Sequence, residues 1–316
     1  MYYPYVRGKQ FELLMLREMA PKIAEWGFTP VIEPVKKNFS VLKRALDELC
    51  ENNCNFVLIA NPYVGEFQKN DASSLVQQII EGHIGDYANF SVGIHLSSEN
   101  TFDQASQILD QFDRPISIIH NGFSEGQKLS ELIAEKSLKI QEHIFIEKQN
   151  SRLYRKHFGS HKRVLIEDGF INRKNREHPA SEPFSELYLT YDELGCQGFG
   201  DFLMVGSEFS EGGGPAYAIA IHLTYVDPEA DNSIAIKHYV SKDVDTPKNP
   251  GGKCLQALQK LYDDVTSDDS LVYKSNAVNE YLQFYEEQHF PGLGYMKKLS
   301  MQHHLELMAH VLNKEA

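Results

Sequence analysis

The chain has 316 residues, enough for one large domain or two of ordinary size, and its 42% hydrophobic and 24% charged residues are typical of a globular protein. The net charge of −13 argues against sequence-independent binding to duplex DNA over a broad surface, because such binding needs clustered Lys and Arg, but it leaves room for a local basic site. No apolar run approaches the roughly 18 residues that cross a bilayer, the N-terminus lacks the order of a signal peptide, and the four cysteines are scattered. The sequence therefore predicts a cytoplasmic protein that does not enter a membrane.

Six short apolar runs, rich in Val, Ile and Phe, predict buried strands. They cover residues 28–35, 55–60, 90–96, 115–120, 143–148 and 163–168. Helical patterns occupy most of the intervals, and the clearest one opens at Asn38 as an N-cap and continues through Leu49. This alternation of strands and helices is typical of parallel βα units.

Two further apolar runs, 201–206 and 216–226, supply the seventh and eighth strands of a TIM-barrel-like (β/α) barrel. The second of them is followed by "DPEADN" and "SIAIKHYVS", a pattern that predicts a β-hairpin and an irregular closure of the barrel. A doubly wound open sheet is the alternative fold. From Gly251 onward the pattern is helical. We therefore predict an α/β barrel domain over residues 1–245 and a C-terminal helical extension, packed on the barrel, over residues 246–316.

Polar residues stand at the ends of the predicted strands, where the active site of a parallel barrel lies. The candidate catalytic residues at these ends are Glu33, His95, His120, Glu147, Lys148, Glu167 and Asp168. Lys36 and Asn61 follow the first two runs and are candidates for substrate binding. Asp201 begins the seventh run and is expected at the opposite end of the barrel.

Carboxylates that converge at one barrel mouth can hold a divalent cation, and oxygen ligands favour Mg²⁺ or Mn²⁺. The candidate metal ligands are Glu33, Glu147, Glu167 and Asp168. Such a cation polarises a phosphoryl oxygen and generates a hydroxide nucleophile. Arg173 and Arg176, in the basic segment that follows, are candidates to hold an anionic substrate. The alternative interpretation is that these polar residues are solvated strand ends and that the basic segment is a solvated loop.

Three other stretches carry weaker signals. "GCQGFG" precedes a strand instead of joining a strand to a helix, so it is not predicted to bind a dinucleotide. Arg7, Gly8 and Lys9 precede an amphipathic helix and either hold an anion or form a capping turn. On the last helix, His303, Glu306 and His310 share a face that is either a metal site or a solvated stripe.

The opening "YYPYVRGKQFELLMLREM", followed by "FTPVIEPVK", resembles the beta protein family of phage and bacterial genomes. "AIAIHLTYVD" resembles the aromatic-rich strand near the end of that family's domain. The residues that carry the likeness most clearly are Tyr3, Pro4, Lys9, Gln10, Glu12, Ile32 and Glu33. The resemblance implies a barrel-like fold and a phage-defence setting with a companion protein, and it implies no catalytic residue.

Two functions are compatible with these patterns. The leading hypothesis is a phage-defence-associated, metal-assisted hydrolase of a phosphate-containing substrate, a nucleotide or a nucleic acid, in which Lys36 and Lys148 stabilise developing negative charge. The alternative is a non-catalytic scaffold that binds a ligand or a protein partner from the same defence operon. Carboxylates that converge at the mouth would favour the hydrolase, whereas a network of salt bridges would favour the scaffold.

Overall fold

The computed structural model describes residues 1–67, 72–212 and 214–314 and divides the chain into two compact units. The first unit consists of Met1–Asp168 and Leu187–Phe202, and the second consists of Gly169–Glu186 and Leu203–Ala316. The predicted hairpin therefore belongs to the same unit as the C-terminal helices.

The first unit alternates strands with helices. Its strands are β1 (Tyr5–Arg7), β2 (Val31–Glu33), β3 (Phe56–Ile59), β4 (Phe90–Ser97), β5 (Ile116–Asn121), β6 (Ile140–Ile146), β7 (Arg163–Glu167) and, after an excursion into the second unit, β9 (Gly198–Asp201). Its helices are α1 (Gln10–Trp26), α2 (Ser40–Glu51), α3 (Ser73–Leu75, continued by a π-helical turn), α4 (Phe102–Leu109), α5 (Gly126–Glu135), α6 (Arg152–Arg155) and α7 (Leu187–Thr190).

The eight strands form one parallel sheet in the order β1-β2-β3-β4-β5-β6-β7-β9. The last strand returns to the first through an isolated parallel bridge between Tyr2 and Phe199. At this seam the amide of Tyr3 donates to the carbonyl of Phe199 at 2.8 Å, and the amide of Phe199 donates to the carbonyl of Met1 at 3.1 Å. The sheet is thus a nearly closed barrel, which confirms the predicted irregular (β/α) barrel over the doubly wound alternative.

Every second side chain of a strand points into the barrel, and these side chains fill its interior. Its apolar core is one cluster of buried residues: Tyr3, Tyr5, Val31, Val57, Ile59, Ile119, Ile144, Ile146, Val164, Ile166 and Phe202. Most of them lie two residues apart on their strands, so the next residue of the same parity also faces the interior. This rule decides which polar residues reach the mouth of the barrel.

Three expectations about the strands are wrong in detail. The sequence predicts the seventh strand over residues 201–206, but β9 ends at Asp201 and residues 203–205 form a 3₁₀ turn. Asp201 therefore lies at the carboxyl end of its strand, in register with Glu167, and not at the opposite end. The run 216–226 does not complete the barrel, since the eighth strand is the short segment Tyr5–Arg7.

The second unit contains a three-stranded antiparallel sheet in the order β10-β11-β8. Its strands are β8 (Ser181–Ser185), β10 (Ala220–Asp227) and β11 (Ser233–Val240), and its helices are α8 (Pro250–Val265), α9 (Asn276–Glu286) and α10 (Leu293–Lys314). Strands β10 and β11 are the predicted hairpin, and Asp227 pairs with Ser233 next to its turn. Among the described residues, no helix has the length and apolar character needed to cross a bilayer.

Candidate functional site

Four polar side chains meet at the carboxyl ends of the barrel strands. Arg7 ends β1, Glu33 ends β2, His95 lies near the end of β4 and Asn121 ends β5. Tyr63, in the loop after β3, joins them. We call these five residues the mouth cluster.

A buried ion pair forms the inner part of the mouth cluster. The Nε atom of Arg7 lies 3.6 Å from Oε2 of Glu33, and the two side chains are 3% and 0% exposed. The hydroxyl of Tyr5 donates to the same carboxylate oxygen at 2.9 Å, and the amide of Tyr63 approaches Oε1 at 3.4 Å. Burial raises the pKa of Glu33, although Arg7 and the Tyr5 hydroxyl oppose that shift. The carboxylate is therefore held in a network and not open to solvent.

An aromatic stack forms the outer part of the mouth cluster. The ring of Tyr63 lies on the imidazole of His95 with 4.1 Å between ring centroids and 21° between planes. The Asn121 amide nitrogen is 3.3 Å from the Tyr63 hydroxyl and 3.2 Å from Nε2 of His95. Arg7 also hydrogen-bonds the Tyr63 hydroxyl. The stack and the ion pair thus belong to one hydrogen-bonded network.

Asn61, which follows β3, holds the backbone of His95 on the neighbouring strand β4. The Asn61 side chain donates to the carbonyl of His95 and accepts from its amide, both at 2.8 Å. Asn61 therefore replaces a ladder partner where β3 has already ended, and it positions His95 without contacting its ring.

The imidazole of His95 is neutral at physiological pH. Burial, and then the nearby positive charge of Arg7, lowers the pKa of His95 to about 3. We expect its ring NMR signals not to change between pH 8 and pH 5. In the urea-unfolded chain the same signals should titrate near 6.5. A midpoint near 6 in the folded chain would contradict this assignment.

The remaining predicted residues of the first unit are more exposed. Lys36 is exposed and pairs with Glu66 at 3.2 Å. Glu147, Glu167 and Asp168 are half-buried at the ends of β6 and β7. Lys148 is exposed and has a left-handed backbone with φ of 65°.

The structure does not bring His120 to the mouth cluster. Its neighbour Ile119 belongs to the barrel core, so His120 points to the other side of the sheet. There its ring nitrogens contact the Tyr154 hydroxyl at 2.8 Å and Nδ1 of His143 at 2.9 Å, and its ring stacks on Phe145. His120 is a buried residue between the strand and the helical layer.

The group of side chains best placed to hold a metal ion is not the predicted set of carboxylates. Within residues 1–67, 72–212 and 214–314, the one group of three possible ligands consists of His178, His222 and His238, in the second unit. The Mg²⁺ or Mn²⁺ site of Glu33, Glu147, Glu167 and Asp168 stays a prediction.

The predicted substrate-binding arginines belong to the second unit. Arg173 donates to the carboxylate of Glu182 at 2.8 Å, and Arg176 is exposed in a 3₁₀ turn over Asn175–Glu177. Arg173 is thus engaged within its own unit.

On α10, His303 and His304 are buried, and His303 hydrogen-bonds Ser275. The first residue of the face that the sequence assigns either to a metal site or to a solvated stripe is therefore not solvated.

Three members of the mouth cluster, Arg7, Tyr63 and Asn121, are not among the site residues that the sequence predicts. The sequence analysis places Arg7 only at a helix N-terminus, although the alternation Tyr3–Tyr5–Arg7 puts it inside the barrel. Tyr63 lies in a loop, where no periodicity signals its direction.

No family model matches the chain, and no curated protein matches it. The likeness to the beta protein family therefore stays a prediction that rests on the quoted residues.

Proposed function

We propose that this chain is a ligand-binding barrel protein and that its mouth cluster binds a small phosphate-containing molecule with a planar base, namely a mononucleotide. The observation that carries the proposal is the outer stack. Tyr63 lies on a neutral imidazole yet remains 41% exposed, so ring surface is left for a second planar group. Nucleobases stack on such exposed aromatic rings whatever their sequence identity.

The same geometry supports binding more than metal-assisted hydrolysis. The Glu33 carboxylate already accepts from Tyr5 and pairs with Arg7, so it offers little to a cation. With a pKa of about 3, His95 is a poor general base at neutral pH. Both features favour a binding protein over a metal-assisted hydrolase.

Positive charge beside the mouth cluster suits the phosphate. Lys9 follows β1, and Lys36 and Lys37 follow β2 on an exposed loop. Lys36 pairs with Glu66, but a surface ion pair contributes only about 0–1 kcal/mol, so a phosphate can replace that partner. Burial lowers the pKa of Lys9, the carboxylate of Glu12 opposes that shift, and the charge of Arg7 adds to it, so Lys9 lies near charges of both signs.

The test is calorimetric titration of the full chain with AMP, GMP, CMP and UMP, and with inorganic phosphate as a separate probe. Removing the Tyr63 ring by Tyr63→Ala should weaken mononucleotide binding by about 5- to 150-fold, since stacking on an aromatic ring contributes about 1–3 kcal/mol. Tyr63→Phe keeps the ring and should change the affinity less than about threefold.

Tyr217→Ala is the matched control, because Tyr217 is similarly exposed (46%) but lies in the second unit. Binding that is equal in the wild type and in Tyr63→Ala would place the ligand elsewhere. If no mononucleotide binds at millimolar concentration, the ligand proposal is wrong and a scaffold for a protein partner becomes the better hypothesis. The phage-defence setting of that partner is proposed from the resemblance alone.

A further inference from the structure

We infer that the second unit contains a binding site for Zn²⁺, or for a transition-metal cation of the same class, formed by His178, His222 and His238. Each histidine offers a ring nitrogen, and the three nitrogens lie within 4.8 Å of one another. Imidazole ligands favour zinc, copper or nickel over Mg²⁺, so this site differs in chemistry from a carboxylate site. The inference does not depend on the mouth cluster or on its ligand.

The fold brings the three histidines together by strand register. His222 on β10 pairs directly with His238 on β11, so both side chains leave the same face of the hairpin. His178 comes from the segment before β8, where the amide of His238 donates to the carbonyl of Ala180 at 2.9 Å. The Asn175 side chain fixes the preceding turn by donating to the carbonyl of Ala218 at 2.8 Å.

A buried ring nitrogen of His178 supports the proposed site. The Nδ1 atom of His178 is buried and has no hydrogen-bond partner among the residues that the structure describes. Its closest charged neighbour, Oε1 of Glu182, is 3.8 Å away, which is beyond hydrogen-bond reach. A buried polar atom without a partner is costly, and a metal ion accepts the lone pair that nothing else uses.

Glu182 orients a second ligand. Its Oε1 lies 3.0 Å from Nε2 of His238, and its Oε2 accepts from Arg173 at 2.8 Å. A carboxylate in this position holds the proton on Nε2 and leaves Nδ1 of His238 as a lone pair. That Nδ1 faces Nδ1 of His222 at 2.6 Å. Without a metal one proton must lie between these two nitrogens, and a cation can take its place.

The spacing and surroundings also suit a small cation. Two nitrogens bound to one tetrahedral zinc at about 2.0–2.1 Å lie roughly 3.3 Å apart. The Nδ1 atoms of His222 and His238 are 2.6 Å apart, and all three nitrogens lie within 4.8 Å of one another, so small shifts give the spacing that zinc needs. The ring of Phe170 lies 5.6 Å from that of His178 and 5.1 Å from that of His222, and it provides an apolar wall.

The experiment is titration of the EDTA-dialysed full chain with Zn²⁺, and with Mg²⁺ as a separate probe, by calorimetry. We expect one Zn²⁺ per chain and no heat with Mg²⁺. His222→Gln should weaken Zn²⁺ binding more than about 100-fold, and Glu182→Gln, which only orients His238, about 10- to 100-fold. His161→Ala is the control, because His161 is a half-buried histidine like His222 but lies in the first unit.

X-ray absorption of the zinc-loaded wild type counts the imidazole ligands without any variant, so the test stands even if a substituted chain does not fold. Three imidazoles support the site, and none or one overturns it. A wild type that binds no Zn²⁺ at 100 µM, or a folded His222→Gln that binds it normally, also overturns it.

Discussion

Gly200→Ala is expected to destabilise the first unit by about 3 kcal/mol or more, because the barrel seam has no room for a side chain there. A Cβ at Gly200 would overlap the carbonyl oxygen of Tyr3 and would lie 2.7 Å from Cδ1 of Ile166. The Tyr3 atom belongs to the backbone and cannot rotate away. The substitution therefore forces β9 away from the segment just before β1, where the bridge between Tyr2 and Phe199 links the two sides of the seam.

Urea unfolding followed by circular dichroism measures this loss. Gly159→Ala is the matched control in the same unit, since a Cβ there would meet nothing closer than the Lys156 carbonyl oxygen at 3.5 Å. Its free energy of unfolding should be unchanged or higher by up to about 1 kcal/mol. Equal unfolding midpoints for the two variants would mean that the seam is not a stabilising contact of the barrel.

The six apolar runs allowed most of the barrel to be predicted. Each run coincides with one of the strands β2 to β7, because a strand buried on both faces reads as a continuous apolar segment. The seam strands have no such signal. Strand β1 has three residues, and β9 reads Gly-Phe-Gly-Asp, so their place follows from close backbone contact and not from hydrophobicity.

The candidate site was predictable only in part, and His120 shows why. Strand β5 is buried along both faces, with Ile118, Ile119 and His120 all at 0% exposure. Because the residues on both faces of this strand are apolar, the sequence does not show to which face a polar side chain points. His95 was found because it happens to face the mouth, whereas His120 at a similar strand end faces the helical layer.

The predicted hairpin contains two of the three histidines of the proposed metal site, His222 and His238. Folding residues 216–241 about "DPEADN" with Asp227 opposite Ser233 places His222 opposite His238. Once this register is known, two of the three proposed ligands follow from their positions in the sequence. His178 and Glu182 could not be predicted in this way, because β8 reaches β11 through a tertiary contact far along the chain.

Arg7→Met is expected to destabilise the protein by about 3–5 kcal/mol at pH 8 and by much less at pH 5. Arg7 is the charge that opposes the burial-driven rise in the pKa of Glu33. Without Arg7 that pKa rises further above its unfolded value. A carboxyl with a raised folded pKa contributes stability below its unfolded pKa and loses that stability as pH rises through the folded pKa. The penalty of the variant therefore grows with pH.

The double variant Arg7→Met with Glu33→Gln separates charge from packing. It contains no buried carboxylate at this position, so its free energy of unfolding should differ from that of Glu33→Gln alone by the same amount at pH 5 and pH 8. Arg7 also lies over the ring of Phe202 at 5.6 Å, a contact that methionine keeps only partly. If the single variant lost equal stability at both pH values, Arg7 would act through that packing, and the ion pair with Glu33 would not be what holds the inner mouth cluster together.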